Sequence, residues 1–232
     1  MNILITGANR GLGLALANYF IWQGHFVLMG CRNVEEFPHD EIITDIGEYF
    51  VFKLDVVQIK SIQEAKQLIS ERFSSIDILI NNAGRYDKFS KNDSMNIDFE
   101  EIKKMYDVNA IGPLRMIKEF YDMIKDSKGK IIVNISSNAA SIGDSTRSSE
   151  FGYCMSKAAL NMETKLLQNF FNKKEKDIDI YSIDPGWMQT DMGSVQADYT
   201  ASESAEKIGE LILNPHKIAS SHVDLLNRNL NW

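Results

Sequence analysis

Short apolar runs alternate along the chain with longer segments in which apolar residues recur every three or four positions. The run 131–135 (IIVNI) is almost entirely apolar, which is typical of a strand buried on both faces of a parallel sheet. Runs of this kind predict strands over 2–6, 24–32, 49–54, 77–80, 130–135 and 178–183, with a short edge strand at 222–226.

The segments between these runs have the apolar spacing of helices. In 59–73, for example, Ile62, Ala65 and Ile69 fall on one face. Helices are predicted over 14–20, 59–73, 94–105, 113–125, 152–171 and 202–213, with Ser202 as the N-cap of the last. Strands that alternate with helices predict an α/β fold class: a doubly wound parallel sheet of the Rossmann type, in three α/β/α layers.

Composition bounds the class of protein. The 232 residues contain no repeat, linker-like stretch or low-complexity segment, so residues 1–232 are expected to form a single domain. The net charge is −7 and no basic stripe is present, so nucleic acid is not an expected partner. No apolar run has the length of a membrane span, so no membrane partner is expected.

The two cysteines indicate the cellular setting. Cys31 and Cys154 have neither metal-ligand spacing nor the pattern of a disulfide framework, so we expect no metal and a reducing, cytoplasmic environment. The first predicted strand begins at residue 2, which leaves no room for a signal peptide.

A glycine-rich stretch, 6–13 (TGANRGLG), joins the first strand to the first helix. Such a turn places backbone N–H groups and a helix N-terminus against a phosphate. Gly7 permits the tight turn, Gly11 lets the backbone approach a pyrophosphate, and Gly13 lets helix and strand pack closely. The spacing differs from the commoner G-x-G-x-x-G. The alternative is that the glycines merely turn a loop.

The end of the second strand indicates which dinucleotide binds. An NAD site usually carries an acid there to accept a hydrogen bond from the ribose 2′-hydroxyl. This chain has Cys31 and Arg32 instead, and Arg10 lies in the glycine loop. Two guanidiniums without a carboxylate suit a 2′-phosphate, which favours NADP(H) over NAD(H). A solvated Arg32 is the alternative.

The stretch Tyr153-Cys154-Met155-Ser156-Lys157 is the candidate catalytic element. Tyr153 and Lys157 lie one helical turn apart on the same face. An ammonium beside a phenol stabilises the phenolate and is expected to lower the pKa of Tyr153, so that the phenol passes a proton near neutral pH. A surface helix with a half-buried tyrosine would show the same five residues.

Taken in order, the motifs resemble those of the short-chain dehydrogenase/reductase family, most closely the C-factor-like and small carbonyl reductase branch. The resemblance covers residues 1 to about 213. The motifs that carry it are 6–13 (TGANRGLG), 55–56 (DV), 81–84 (NNAG), Asn109, Ser137, Tyr153 with Lys157, and 184–193 (DPGWMQTDMG).

The resemblance implies a role for each residue. Tyr153 donates a proton to a substrate carbonyl, Lys157 tunes Tyr153 and binds the nicotinamide ribose, Ser137 holds the carbonyl oxygen, and Asn109 anchors a water that resupplies protons. Asn109 could instead bridge helices. The implied cofactor contacts are Gly7, Asn9, Arg10, Gly11, Leu12, Gly13, Arg32, Asp55, Val56, Asn82, Ala83, Gly84, Tyr153, Lys157, Pro185, Gly186 and Thr190. Thr190 could instead be a lid residue, and Asp184 either braces a turn or touches ligand.

The chain departs from the family pattern in one place. Ser137 lies 16 residues before Tyr153, about three more than in many members. Either the loop 138–150 bulges over the substrate pocket, or Ser136 or Ser141 polarises the carbonyl. We favour Ser137, because it matches the second serine of the family's strand-end pair.

The resulting hypothesis is an NADPH-dependent reductase of an aldehyde or ketone, with substrate loops near 85–96, 138–150 and 188–200. The alternatives are an NAD-dependent alcohol dehydrogenase and a non-catalytic NADP-binding signalling protein. Family habit and the apolar residues Leu166, Leu167, Phe170 and Phe171 predict a homodimer or homotetramer through the long helices, although these residues could instead cover the sheet.

Overall fold

The computed structural model describes residues 1–43, 46–87, 95, 97–174 and 177–232. Its strands are β1 (Asn2–Thr6), β2 (Phe26–Cys31), β3 (Glu48–Lys53), β4 (Ile78–Asn81), β5 (Ile131–Ile135), β6 (Asp179–Asp184) and β7 (His222–Asp224). They form one sheet in the order β3-β2-β1-β4-β5-β6-β7, with every neighbouring pair parallel. Because the winding reverses between β1 and β4, a crevice opens there at the carboxyl ends of the strands.

Six helices connect the strands in the described part of the chain. They are α1 (Gly11–Trp22), α2 (Ile59–Ser70), α3 (Phe99–Tyr106), α4 (Gly112–Lys125), α5 (Phe151–Lys173) and α6 (Ala201–Leu213). A π-helical turn (Asp107–Ile111) joins α3 to α4, and short 3₁₀ turns lie at His39–Glu41, Asn138–Ala140 and Pro215–Lys217.

The core has two halves, one on each face of the sheet. Successive residues of a strand point to opposite faces, so Ile3 and Ile5 pack with α1 and α6, whereas Leu4 packs with α2 and α4. Both faces are buried, which explains why the central strands are apolar at nearly every position. The doubly wound three-layer fold predicted from the sequence is thereby confirmed.

Backbone geometry shortens two of the predicted strands. Gly24 has φ of 78° and Lys130 has φ of 53°, and neither left-handed conformation fits a strand, so β2 begins at Phe26 and β5 at Ile131. The predicted start of a helix at Ser94 lies outside the described residues, and α3 begins at Phe99, capped by Asp98.

One further expectation was wrong, and one alternative that the sequence left open holds in part. The N-cap of α6 is Thr200 rather than Ser202, because Thr200 and Glu203 satisfy each other's backbone N–H groups in a capping box. Of the apolar residues assigned to an interface, Phe171 lies in the core and Leu167 packs against it, whereas Leu166 and Phe170 are exposed.

Candidate active site

A cleft of about 1020 Å³ lies at the switch point of the sheet. It runs from the glycine loop to the start of α5. All the predicted site residues except Asn109 line it: Gly7, Asn9, Arg10, Gly11, Leu12, Gly13, Arg32, Asp55, Val56, Asn82, Ala83, Gly84, Ser137, Tyr153, Lys157, Pro185, Gly186 and Thr190. This volume is at the upper end of the range for small-molecule pockets, as an extended dinucleotide requires.

The glycine loop has the conformation that a phosphate cradle needs. Gly7 and Gly11 have φ of 66° and 54°, which only glycine adopts at little cost. A Cβ on Gly13 would lie 2.2 Å from the carbonyl oxygen of Gly7 and 2.5 Å from Nδ2 of Asn82. These three glycines are therefore required by the loop itself, and the cradle fits the diphosphate of a nicotinamide dinucleotide.

Asn82 braces the glycine loop from β4. Its side-chain amide donates to the carbonyl oxygens of Thr6 and Gly7 at 2.9 and 3.1 Å. In return, the hydroxyl of Thr6 accepts from the backbone N–H groups of Asn82 and Ala83. The sequence reading missed this bracing role of Thr6.

Arg10 has a carboxylate partner that the sequence did not reveal. Its Nη1 donates to Asp191, which lies in the segment after β6. Arg32 also lines this end of the cleft. The expectation of two guanidiniums without a carboxylate was therefore wrong for Arg10, because the backbone path brings in a residue 181 positions away.

Tyr153 lies at the other end of the cleft. Burial raises the pKa of its phenol to about 12, and the neighbouring Ser137 side chain opposes that rise. This direction is opposite to the lowering expected from Lys157, whose ammonium lies 5.9 Å from the centre of the Tyr153 ring. Its Nζ donates to the carbonyl of Ile135 at 2.7 Å, and burial lowers the pKa of Lys157 to about 8.

Among the three serines, Ser137 is the one that acts on the pKa of Tyr153; its Oγ accepts from the backbone N–H of Ala139 at 3.1 Å, which leaves its own proton to donate. Ser136 is buried and donates to Oδ1 of Asn161 at 2.8 Å. Ser141 donates to Asp144 at 3.2 Å. Both alternatives are thus engaged elsewhere, and the geometry supports the assignment of Ser137.

Asn109 lies in the π-helical turn, outside the lining of the cleft. Its side chain accepts from the backbone N–H of Arg85 at 2.7 Å and donates to the Arg85 carbonyl and to the hydroxyl of Ser156. The amide therefore bridges the chain after β4 to α5. This arrangement supports the bridging alternative for the side chain, and the water-anchoring role stays a prediction.

Asp184, at the end of β6, braces the floor of the site. Its carboxylate accepts from the backbone N–H of Gly186 at 3.1 Å and lies near the Asn138 backbone and Lys157, and burial raises the pKa of this carboxyl. Of the two roles considered for Asp184, the turn-bracing one is observed.

Three polar residues near Tyr153 were missed as site residues. Tyr86, Arg147 and Glu150 all line the cleft, and Glu150 accepts hydrogen bonds from the other two. The signal available in the sequence was the extra length of the loop 138–150, which carries Arg147 and Glu150. Residues 88–94 and 96, within the first expected substrate loop, lie outside the described residues.

The segment after β6 closes over the glycine loop. A Cβ on Gly11 would lie 3.7 Å from the methyl group of Thr190, so the two segments nearly touch. The segment is less irregular than expected, because Tyr199 exchanges backbone hydrogen bonds with Trp187 and Gln189.

The fold and the site together define a class of protein: a Rossmann-type oxidoreductase, with a dinucleotide cradle at one end of a cleft and a tyrosine–serine pair at the other. The family model for short chain dehydrogenases matches residues 1–200. The chain therefore belongs to the short-chain dehydrogenase family, which confirms the resemblance seen in the motifs.

Individual relatives agree with this assignment. An uncharacterized oxidoreductase of Schizosaccharomyces pombe is 30% identical over 232 residues, covering 96% of this chain and 88% of the relative. The benzil reductase ((S)-benzoin forming) of Bacillus subtilis is 28% identical, covering 97% of this chain and 93% of the relative. The NADPH-bound carbonyl reductase from chicken fatty liver superposes with a TM-score of 0.88 at 26% identity, covering 100% of this chain and 94% of that one.

Two features are absent from the residues that the structure describes. None of the helices described is long and apolar enough to cross a membrane. Within the same residues, no three His, Cys, Asp or Glu side chains cluster as metal ligands would.

Proposed function

We propose that this protein is an NADPH-dependent carbonyl reductase that converts an aldehyde or ketone to an alcohol. The observation that carries the proposal is the placement of Ser137 beside Tyr153, at the far end of a cleft that begins at the glycine cradle. A donor pair in that place is positioned to meet the oxygen of a carbonyl group lying beside a dinucleotide.

The proposed reaction needs little from the protein beyond positioning and one proton. The bound nicotinamide cofactor supplies the hydride that adds to the carbonyl carbon. Tyr153 gives its proton to the carbonyl oxygen, and solvent later returns one, so the net change is one hydride and one proton. A phenol whose pKa is about 12 is fully protonated at neutral pH, which suits a donor. Ser137 holds the oxygen, and Lys157 holds the nicotinamide ribose.

The preference for NADPH is supported by cation placement and by the relatives. Arg10 and Arg32 both line the end of the cleft where the glycine loop meets β2. The carbonyl reductase from chicken fatty liver binds NADPH. In this proposal, the two guanidiniums bind the 2′-phosphate.

An NAD-dependent alcohol dehydrogenase is the second candidate. The observation in its favour is the Arg10–Asp191 pair, because a carboxylate beside Arg10 opposes a 2′-phosphate. A galactitol 2-dehydrogenase of Agrobacterium fabrum is 30% identical over 208 residues. No comparable observation favours a non-catalytic signalling protein, since Tyr153 and Lys157 both lie in the cleft.

The test combines cofactor binding with turnover. The purified protein is titrated with NADPH and, separately, with NADH, and cofactor oxidation is then screened with aldehydes, ketones, diketones and quinones. We expect tighter binding of NADPH and NADPH-dependent reduction of at least one carbonyl. Equal or tighter binding of NADH would favour the dehydrogenase. Binding without turnover of any carbonyl or alcohol would favour the non-catalytic alternative.

The variant Tyr153→Phe tests the mechanism within the same assay. It removes only the hydroxyl, so cofactor affinity should be preserved while turnover falls by at least about 10²-fold. A variant that keeps most of its activity on the best substrate would contradict the role given to Tyr153.

Assembly and location stay predictions. The exposed residues Leu166 (60%) and Phe170 (48%) lie on α5 and are available for the predicted homodimer or homotetramer. Gel filtration would contradict this if the protein eluted as a 26.4 kDa species. Two unpaired thiols, Cys31 and Cys154, are consistent with the expected cytoplasmic setting.

A further inference from the structure

Three side chains form a hydrogen-bonded cluster at the substrate end of the cleft: Tyr86, Arg147 and Glu150. Oε1 of Glu150 accepts from the hydroxyl of Tyr86, and Oε2 accepts from Nη1 of Arg147. Glu150 is buried and has φ of 62°, a left-handed conformation that is unusual for a non-glycine residue. The loop thus holds this carboxylate in place at a cost in backbone strain.

The cluster is connected to the reacting groups from two sides. On one side, the ring of Tyr86 packs edge-on against the ring of Tyr153, with centroids 5.1 Å apart and planes at 87°. On the other side, Nη2 of Arg147 donates to Oδ1 of Asn138 at 3.0 Å, and Asn138 directly follows Ser137. Arg147 is therefore fixed close to the Tyr153–Ser137 pair.

Arg147 can still donate to a ligand. A guanidinium has five N–H donors, and the described residues engage two of those of Arg147, one at Glu150 and one at Asn138. Its side chain is 38% exposed and lines the cleft. A planar donor that is held rigidly recognises an oxygen acceptor at low entropic cost.

The charges nearby decide what kind of oxygen fits. Glu150 already neutralises Arg147, and Asp184 lies in the same cleft. A carboxylate on the substrate would meet the Glu150 carboxylate at the same guanidinium, and the two like charges would repel each other. An uncharged oxygen meets no such repulsion.

We propose that Arg147 is a specificity-determining residue that donates a hydrogen bond to a second, uncharged oxygen on the carbon next to the reduced carbonyl. The substrate class is then a vicinal dicarbonyl, or a ketone with an oxygen on the neighbouring carbon. This inference rests on the proposed carbonyl reductase function. Glu150 and Asn138 are positioning residues, which fix the guanidinium for that contact.

The test uses three ketones of nearly equal size: 2,3-butanedione, 2-butanone and pyruvate. The dione has a second neutral oxygen, the monoketone has none, and pyruvate has a carboxylate. Values of kcat/KM for each ketone are measured for the wild-type protein and for Arg147→Met. A dione is intrinsically more reactive than a monoketone, so the quantity compared is how far the substitution changes the ratio of kcat/KM for one ketone to that for another. If small ketones react too slowly, benzil and deoxybenzoin form the equivalent neutral pair.

We expect Arg147→Met to lower kcat/KM for the dione by roughly 10- to 100-fold, the loss of one charge-assisted hydrogen bond. For 2-butanone the change should be less than about 3-fold, and NADPH affinity should not change. Arg72→Met is the matched control, because Arg72 is exposed and stacks on Phe50 and Phe73 instead of lining the cleft. It should leave all three values unchanged.

Two results would overturn the inference. Equal losses for the dione and the monoketone would show that Arg147 only supports the fold, and the largest loss on pyruvate would show that it binds a carboxylate. If Arg147→Met does not fold, Arg147→Lys takes its place, because it keeps the charge but not the planar donor. The kcat/KM for the dione should then still fall more than that for the monoketone.

Glu150→Gln gives an independent readout. Removal of the negative charge should raise kcat/KM for pyruvate relative to the dione, and an unchanged ratio would contradict the charge argument. Failure of the proposed function itself would be distinguishable, because NADPH would then not be oxidised with any carbonyl in the wild-type protein.

Discussion

The ammonium of Lys157 lies 5.9 Å from the centre of the Tyr153 ring, and it donates to the carbonyl of Ile135 at 2.7 Å. The two residues share a helical face and make a cation–π contact, and no hydrogen bond joins their side chains. Burial instead moves both pKa values away from their ordinary positions, that of Lys157 down to about 8 and that of Tyr153 up to about 12. Of the two groups, Lys157 is therefore the one that changes its charge near neutral pH.

This relationship predicts a pH-dependent cofactor affinity. As pH rises from 7 to 9.5, Lys157 loses its proton around pH 8, and the affinity for NADPH should fall by roughly 3- to 10-fold as its cationic contact is lost. The variant Lys157→Arg stays charged throughout this range, so its affinity should be flat. Fluorescence titration of the cofactor measures both, independently of turnover. A decline of the same size in Lys157→Arg would assign the titration to another group.

Of the two serines that directly follow β5, we expect Ser137 to act in catalysis and Ser136 to stabilise the fold. Ser137→Ala should reduce kcat by about 10²-fold without changing cofactor affinity, because it removes the donor beside Tyr153. Ser136→Ala should leave kcat nearly unchanged and cost about 1 kcal/mol of stability, because its buried hydroxyl bonds Asn161. Steady-state kinetics and thermal unfolding distinguish the two, and a greater loss of kcat in Ser136→Ala would reverse the assignment.

The sequence predicts the fold well because burial on both faces of a parallel sheet leaves apolar runs with a recognisable length. The ends of elements are predicted less well, because they depend on single backbone angles. Lys130 illustrates this: its side chain gives no sign that its φ is 53° and that β5 therefore begins one residue later.

Part of the candidate site could likewise be predicted from the sequence and part could not. Residues at strand ends, such as Ser137, were predicted because parallel strands bring their carboxyl ends together. Contacts between loops were not predicted, because they depend on the path of the backbone. The bond between Tyr86 and Glu150 spans 64 positions and that between Arg10 and Asp191 spans 181, and neither pair has a local sequence pattern.

The Arg10–Asp191 pair predicts that cofactor preference can be shifted by one charge. In the proposed function, Asp191 competes with the 2′-phosphate for Arg10, so Asp191→Asn should tighten NADPH binding by roughly 3- to 10-fold and change NADH binding little. Arg10→Met should weaken NADPH binding selectively. The pair is exposed, so its own contribution to stability is small. Equal tightening of both cofactors by Asp191→Asn would exclude the competition.

The glycine cradle predicts a steric effect of a single methyl group. Gly13→Ala places a Cβ 2.2 Å from the Gly7 carbonyl oxygen, so the loop must shift and dinucleotide affinity should fall by at least about 10-fold. Gly143→Ala is the control, because its nearest neighbour would be 3.8 Å away. Calorimetric titration and thermal unfolding of both variants measure the effect. Normal affinity in Gly13→Ala would mean that the cradle does not hold the diphosphate.

The carboxyl of Glu163, which does not line the cleft, should make the stability of the protein depend on pH. It lies in α5, its Oε1 is buried with no hydrogen-bond partner among the described residues, and burial raises the pKa of this carboxyl from 4.5 to about 8. Between these two values the unfolded chain releases the proton while the folded protein keeps it. The free energy of unfolding therefore falls as pH rises from about 4.5 to about 8.

The variant Glu163→Gln removes this ionisation while keeping the size of the side chain. At pH 4.5 the variant and the wild-type protein should unfold at nearly the same temperature. At pH 8 the free energy of unfolding of the variant should be higher by about 2 kcal/mol, a figure already reduced because the Glu163 side chain is partly exposed. For a chain of this length, that difference corresponds to a rise in Tm of roughly 4–8 °C. Thermal unfolding at both pH values measures the difference. A constant offset between the two proteins at both pH values would instead mean that Glu163 is ionised throughout, with a partner for its buried oxygen.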